Sequence, residues 1–445
     1  MSATTTASRL VPELRAICGA EYVVEDPAEL QRVRIGQKPP AVAVTPGSAD
    51  EIAAILCFAN EHGIPVLPAG GCTEQTAGLA HEAPIMLHTT RLTEVEHYDP
   101  ADLTVGVGAG TMIATLCEMV GADQLLFALD PPLPQRSTVG GALATGIHGP
   151  MRHGYGTLRD FCIGIRFVTG DGRKAKGGGR VVKNVAGYDL MKLLIGSWGT
   201  LGIITSASFK LFPAPRQTRT FIAEFTSAKE ALGFRDGILR SPLSPMCLEL
   251  VSPRAIRLQS GAESPDAWLL CVRASGSDAV LARYRAELGS GATRELEGEN
   301  ECEWWQAIAD FPPAREELRA APLVVNWSLS TVSISVPLQE VGTVIERISS
   351  LVSPGWMTAN MVGRVGTGHL LVSLTLEDVE AMGSAVSDVI DRLRNQLSRQ
   401  ASMVMRSGRH PRGFWPMTPT DIKSMLAVKQ ALDPRDILNR GRFPF

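Results

Sequence analysis

Three bare-backbone stretches in the first half of the chain have the residue types to hold an anion. They are LPAGGCTEQTAG (Leu67 to Gly78), STVGGALATGIHGP (Ser137 to Pro150) and GSWGTLGIIT (Gly196 to Thr205). Glycine admits positive φ and close backbone approach, so successive N–H groups can converge on one ligand. The first stretch is no nucleotide P-loop, because no Lys and Ser/Thr follow its second glycine. Nor is it a Gly-x-Gly-x-x-Gly fingerprint: Gly70 and Gly71 are adjacent and the next glycine is Gly78. Alone it reads equally well as an ordinary strand-to-loop turn. Three such stretches suggest a long ligand laid against much backbone. A pyrophosphate needs several N–H donors and a large planar ring needs room, and FAD meets both demands.

Other chemistry is sparse. The eight cysteines are scattered and none forms Cys-x-x-Cys, which argues against an iron–sulfur cluster or zinc site made by this chain. Buried thiols in a reducing compartment are expected instead. A net charge of −3 and the lack of a basic run give no reason to expect nucleic-acid binding. MSATTTASRL lacks the pattern of a secretory signal and no apolar run reaches membrane-spanning length, so a cytoplasmic protein is expected, with membrane attachment only through a partner.

Elements must position these loops. AVAVTP reads as a buried strand, Ser48 and Glu51 as a capping box, and EIAAILCFANEHG as a helix ended by Gly63. IPVLPAGG returns as a strand, so a β-α-β unit delivers the first glycine loop. PIMLHTTRL and LTVGVGAG read as strands and TMIATLCEMVGA as a helix. DPPLPQRSTVGGALATGIHGP shows little strand or helix character, and its small apolar residues argue against disorder. FCIGIRFVTGDGR and KAKGGGRVVKN read as a hairpin. Beyond Pro213 and Pro215 the texture changes to strands alternating with amphipathic helices, an antiparallel sheet covered by helices. With 445 residues the chain has room for several units, placed at 1–216, 217–400 and 401–445.

Four motifs in order carry a resemblance. LPAGGCT, STVGGALATG, AGYDLMKLLIGSWGTLGIIT and LDPRDILNRGRF together resemble the vanillyl-alcohol oxidase/para-cresol methylhydroxylase superfamily of FAD-binding proteins. The run GPMRHGYGTLRDFCIGIRFVTGDGR with VVKNVAGYDL is similar to the FAD-binding E-subunit type of glycolate oxidase within it. The resemblance implies an α+β chain: a two-subdomain FAD-binding domain, an antiparallel-sheet cap covered by helices, and a C-terminal segment that returns to the first domain. It implies that Pro68, Gly70, Gly71, Cys72 and Thr73 wrap the FAD pyrophosphate. Thr138, Gly140, Gly141, Thr145 and Gly146 would line the other side of the dinucleotide. Ile204 would touch the adenine or ribose through its backbone, and Asn439 would return to the flavin side. Lys183 and Arg180 are basic, and Arg180 reads as a solvated face. Cys72 stands where some relatives carry a histidine bonded to flavin, and non-covalent FAD is expected. Arg440 replaces the proline of the closing Asn-Pro-Gly.

Oxidising a 2-hydroxy acid needs a base and a cation beside the flavin. Catalytic relatives carry two histidine motifs that bind a metal, and this chain holds altered versions. GRVGTGHLLV has Arg364 for the first histidine, Thr367 for Asp and His369 for Asn. SGRHPRG keeps His410 but has Arg409 for Glu. Added cations would repel a metal, so none is expected. Two readings stay open: an electron-transferring FAD subunit, or a metal-free carboxylate site of Arg364, Arg409 and His410. The first implies a catalytic FAD subunit and an iron–sulfur subunit as partners. A stand-alone flavin dehydrogenase for a D-lactate-like acid or an alcohol, and a scaffold without FAD, complete the alternatives. His148 and His153 lie by the second loop, with His148 expected to use its backbone. Trp304 and Trp305 read as packing or a subunit interface.

Overall fold

The computed structural model describes residues 3–32, 39–75, 83–179, 189–258, 261–312, 329–352, 357–376, 382–407 and 421–442. The AVAVTP run forms the strand Val42–Val44, every residue of it buried. Ser48 Oγ accepts the Glu51 N–H at 3.1 Å. Glu51 reaches back to the Gly47 N–H at 2.8 Å, one residue earlier than a standard capping box. Gly63 ends this helix, Ala49–His62, at φ +64°. The strand Val66–Ala69 follows. It does not pair with Val42–Val44: Ile85–His88 lies between them, parallel to both. Val23–Val24 closes the far edge antiparallel. The open edge at Val66 is met by the C-terminal segment. Val66 donates to the Ile437 carbonyl (2.8 Å) and accepts from the Asn439 N–H (2.9 Å). Ile437 and Leu438 are fully buried in the core of this subdomain.

A second, antiparallel sheet runs in the order Val95–Asp99, Thr104–Gly108, Ile203–Lys210, Cys162–Val168, Lys174–Gly178. The last two are the expected hairpin, turning through Gly172 at φ +83°. Its face is filled by Val105, Ile165, Phe167 and Phe209 beneath the helices Ile113–Gly121 and Val139–Thr145. Each such fully buried side chain contributes about 1.5–3 kcal/mol of burial. The helix Val139–Thr145 corrects the expectation that this segment lacks regular structure. Thr138 Oγ1 caps it at the Gly141 N–H (3.2 Å) and Gly146 ends it at φ +60°. Gly140 conceals the helix in sequence yet permits it in space, since a Cβ there would lie 2.8 Å from Ala109 Cβ.

The changed texture after Pro215 builds an eight-stranded antiparallel sheet. Its order is Arg294–Leu296, Thr218–Phe225, Trp268–Ser275, Cys247–Val251, Met357–Arg364, His369–Leu376, Leu329–Ser335, Ser402–Ser407. Its last strand lies within the segment expected to return to the first domain. Side chains alternate between faces. Leu248, Leu270, Val332 and Val372 point to one face, under the helices Ala228–Arg240, Asp278–Leu288, Val341–Leu351 and Met382–Gln396. Cys247, Val251, Cys271 and Leu371 point to the other, against Met151, Trp304 and Trp305. The two tryptophans are core, and Trp305 Nε1 donates to Thr220 Oγ1 at 2.6 Å. The chain is thus α+β, with helices on one face of the large sheet and the glycine loops beside the other.

Candidate functional site

The strand Val66–Ala69 ends in a tight loop. Gln75 Nε2 donates to the Pro68 carbonyl (2.9 Å) and closes it. Cys72 sits at φ +60°, a conformation that few non-glycine residues adopt. The two glycines serve a contact between loops. A Cβ on Gly71 would lie 1.6 Å from the Arg136 carbonyl oxygen, and one on Gly70 would lie 2.2 Å from Thr138 Oγ1. Thr73 Oγ1 and Ser137 Oγ meet at 3.3 Å. The first two glycine stretches therefore lie backbone on backbone. Among the described residues, the N–H groups of Gly71, Cys72 and Thr73 find no acceptor. In the second stretch the corresponding donors are consumed: Gly140 N–H bonds Ala109 O and Gly141 N–H bonds Thr138 Oγ1.

The third stretch and the C-terminal segment supply the remaining walls. Gly199, at φ +69°, lies on the Pro68 ring. Asn439 Nδ2 donates to the Trp198 carbonyl. Lys429, on the helix Ile422–Leu432, ties these pieces together from behind. Its ammonium donates to Thr200 O (2.9 Å), Asp433 Oδ2 (2.6 Å) and Leu438 O (3.3 Å). Asp433 in turn accepts the N–H groups of Ile437 and Leu438.

The walls line one open cleft. Pro68, Gly70, Gly71, Cys72, Thr73, Thr138, Gly140, Gly141, Thr145, Ile204 and Asn439 all line it, so eleven of the twelve expected cofactor residues converge. Gly146 is the exception, ending its helix outside the lining. Arg409 and His410, with Lys183 and Arg180, fall outside the described residues. The sequence reading did not single out Glu74, Trp198, Arg406 or Arg442. The signal for Arg442 lies in the closing Gly-Arg, three residues after Asn439. Arg442 lines the cleft, is 2% exposed and donates to the Gln75 carbonyl. Burial lowers its pKa to about 10, partly offset by Glu74. The Trp198 ring centroid lies 5.7 and 5.4 Å from the guanidinium carbons of Arg442 and Arg406.

These features fit FAD. N–H donors in the first loop and the Arg442 cation suit a pyrophosphate. Gln75 Oε1 and Asn439 Oδ1, buried without a partner among the described residues, suit hydroxyl donors. Burial pushes the Cys72 thiol up to about 11, and its Sγ faces the Gly70 carbonyl at 3.6 Å.

Past Thr145 the cap sheet takes over. Arg406 Nη1 donates to the Thr145 carbonyl (3.3 Å) and its Nε to Ser333 Oγ (3.3 Å). His369 Nδ1 and Ser335 Oγ are 2.9 Å apart, and its ring meets His148 edge-on at 4.4 Å. Arg364 pairs across the sheet with His369. It is 1% exposed and gives Nε and Nη2 to the carbonyls of Gly149 (3.1 Å) and His148 (3.0 Å). It is a clamp on the 148–149 segment, which corrects its expected place in an open carboxylate site. The register sets Glu249 opposite Arg364, fully buried, with neither carboxylate oxygen bonded among the described residues. Burial raises Glu249 to about 8, against the pull of Arg364. Burial likewise raises Asp130 to about 7, opposed by the Met151 N–H. Burial, with nearby arginines, drives both His148 and His369 well below the ordinary imidazole value. Among the described residues no group of three ligating side chains comes together, and this row is occupied by the buried Arg364 guanidinium.

Two family models match. An FAD-binding domain covers residues 40–176, and the C-terminal domain of FAD-linked oxidases covers residues 214–406 and 409–443. The chain is 25% identical over 425 residues to glycolate oxidase subunit GlcD of Bacillus subtilis, across 91% of this chain and 89% of that one. It is 26% identical to a D-lactate dehydrogenase of Anaerostipes hadrus, across 96% of this chain and 94% of that one. With glycolate oxidase subunit GlcE of Escherichia coli it shares 40% identity, over 139 residues, 31% of this chain and 39% of that one. The crystal structure of p-cresol methylhydroxylase superposes with a TM-score of 0.74 at 16% identity, covering 99% of this chain and 97% of that one, which shows the shared fold.

Proposed function

The chain belongs to the FAD-linked oxidase family and has its FAD-binding domain, and from that premise we propose that it is the FAD-binding subunit of a 2-hydroxy-acid oxidoreductase complex. The cleft carries this reading: among the described residues, three N–H groups without an acceptor, a buried cation and buried acceptors without a donor converge between the glycine stretches. The loop of residues 68–73 and Arg442 take the pyrophosphate, Thr138 to Thr145 line the opposite wall, and Asn439 serves the flavin end. FAD is held non-covalently, because a thiol kept protonated by burial is a poor nucleophile. When bound, FAD supplies the two-electron oxidant. Relatives named as glycolate oxidase subunits support the substrate class, and the higher identity to the E subunit supports a role in a complex that passes electrons to an iron–sulfur partner. The near full-length match to a D-lactate dehydrogenase favours a second reading, a stand-alone dehydrogenase.

The test is an absorption spectrum of the chain purified alone, before and after acid precipitation. Flavin bands released into the supernatant support non-covalent FAD. A colourless protein that cannot be reconstituted overturns the cofactor reading. Turnover of D-lactate with an artificial acceptor and no partner chain favours the stand-alone enzyme over the subunit.

A further inference from the structure

One wall of the cleft carries a charge of the wrong sign for a pyrophosphate. Glu74, in the first glycine stretch, lines the cleft and is 6% exposed. A buried carboxylate beside a bound anion costs affinity unless a cation balances it. Two guanidinium groups do so. Arg442, on the C-terminal segment, is favoured as a cation by Glu74. Arg406 brings Nη1 to 3.8 Å from Glu74 Oε2, both side chains buried. Arg406 belongs to the cap sheet, on the strand Ser402–Ser407. That strand pairs with Leu329–Ser335 in step from Ser402 opposite Ser335 to Met405 opposite Val332, then skips to Ser407 opposite Thr331. Arg406 is the skipped residue. A bulge of this kind frees a side chain from its place in the ladder and re-aims it. Here it directs Arg406 at all three glycine stretches: Glu74 of the first, the Thr145 carbonyl of the second (3.3 Å) and the Trp198 ring of the third. Ser333 Oγ accepts its Nε at 3.3 Å and steadies it on the cap side. Glu74, Thr145 and Trp198 line the cleft, and Arg406 stands behind them.

We propose that Arg406 is a positioning residue: by balancing Glu74 it ties the cap sheet to the cofactor loops, so that docking of the cap and binding of FAD favour each other. This rests on the FAD-binding reading above. Such coupling is reciprocal. FAD that fixes the three glycine stretches also fixes the surface on which Arg406 docks. A docked cap in turn holds the first loop in the shape that offers its N–H groups. Without Arg406, Glu74 keeps its charge beside the phosphates with one cation fewer to balance it, and the strand Ser402–Ser407 loses its hold on the cleft. Neutralising Glu74 as well removes the repulsion. The pair therefore has a signature that packing alone lacks: the second substitution repairs the first.

The test uses the full chain, stripped of FAD and titrated with it, and two readouts. FAD affinity is read by fluorescence quenching, and amide hydrogen exchange is followed in the strand Ser402–Ser407 with and without FAD. In wild type, FAD is expected to slow exchange in that strand by about tenfold. Arg406→Gln should weaken FAD by about ten- to a hundredfold and abolish the slowing, with Arg406→Lys in between. Glu74→Gln combined with Arg406→Gln should bind FAD within about threefold of Glu74→Gln alone. Circular dichroism checks the fold of each variant. The wild-type exchange experiment needs no variant: equal exchange with and without FAD overturns the proposal and leaves the FAD reading standing. So does an Arg406→Gln protein with wild-type FAD affinity, or a double variant whose two losses simply add. A wild type that binds no FAD overturns the FAD reading itself.

Discussion

Gly71→Ala is the smallest change that separates the cofactor cleft from the rest of the fold. The added Cβ would sit 1.6 Å from the Arg136 carbonyl oxygen, where real Cβ atoms stay beyond 3.0 Å, a shortfall of 1.4 Å. The obstacle is backbone on both sides, so no rotamer relieves it. The first loop must draw back from the second by more than an ångström and carry the N–H groups of Gly71 to Thr73 with it. A hydrogen bond to a charged group contributes about 1.5–3 kcal/mol. Losing two of them weakens FAD binding by about 3–6 kcal/mol, or some 10²–10⁴-fold in Kd. The assay is quenching of FAD fluorescence on titration with apoprotein, paired with a thermal melt. Gly233→Ala is the control. It lies inside the helix Ala228–Arg240 with nothing within 4 Å of the added carbon. It should leave FAD affinity unchanged and stabilise the protein by about 0.5–1 kcal/mol. A Gly71→Ala protein that holds FAD within about threefold of wild type would refute the reasoning, because the donors would then not depend on the loop contact.

Three further outcomes follow from the same geometry. Glu249 has a folded pKa raised to about 8 from 4.5, so the folded state binds the extra proton; its contribution is complete below about pH 4.5 and is lost as pH rises through 8. Glu249→Gln should therefore raise the melting temperature at pH 8.5 relative to wild type and change it little at pH 5, as read by scanning fluorimetry. Lys429→Met leaves Asp433, 1% exposed, without its cation and frees Thr200 from the C-terminal segment; a loss of about 3–5 kcal/mol is expected in denaturant melts. Cys72→Ser should bind FAD as wild type does, and acid precipitation should release the flavin from both; flavin retained only in the wild-type pellet would mean a covalent bond to the thiol.

The sequence reading succeeded where chemistry is local. Ser48, Glu51 and Gly63 announced their helix because caps are made by neighbours in the chain. The strand-like runs WLLCV, STVSISV and LLVSLTL became strands of the large sheet, whose two faces are both covered by apolar neighbours. The reading failed where long-range contact decides. Val139–Thr145 reads as loop from its glycines, and only the proximity of Ala109 explains why a helix with glycine there is the better packed choice. Val95–Asp99 was overlooked because an edge strand facing water has no apolar alternation. At the site, the glycines were found but their immediate purpose was not: Gly70 and Gly71 make room for the second loop, and the donors beyond them are what remains for a ligand. Arg406, Trp198 and Arg442 gather from three distant segments, and no spacing in the chain announces such a group.

Synthesis runs from the first glycine loop to the segment that completes it. Arg442 and its partner Gln75 are 367 positions apart. At about 5–20 residues per second, a ribosome needs roughly 20–70 s to cover that distance. Throughout that interval the edge of Val66 turned away from Ile85–His88 lacks the C-terminal segment, and the cleft lacks Asn439 and Arg442. The nascent chain can fold its sheets but cannot finish its cofactor site, so FAD uptake belongs after translation has passed residue 442. A product that stops short of Ile437 lacks the wall as well as the cation, and yellow colour in a purified preparation reports that the ribosome read the message through that point.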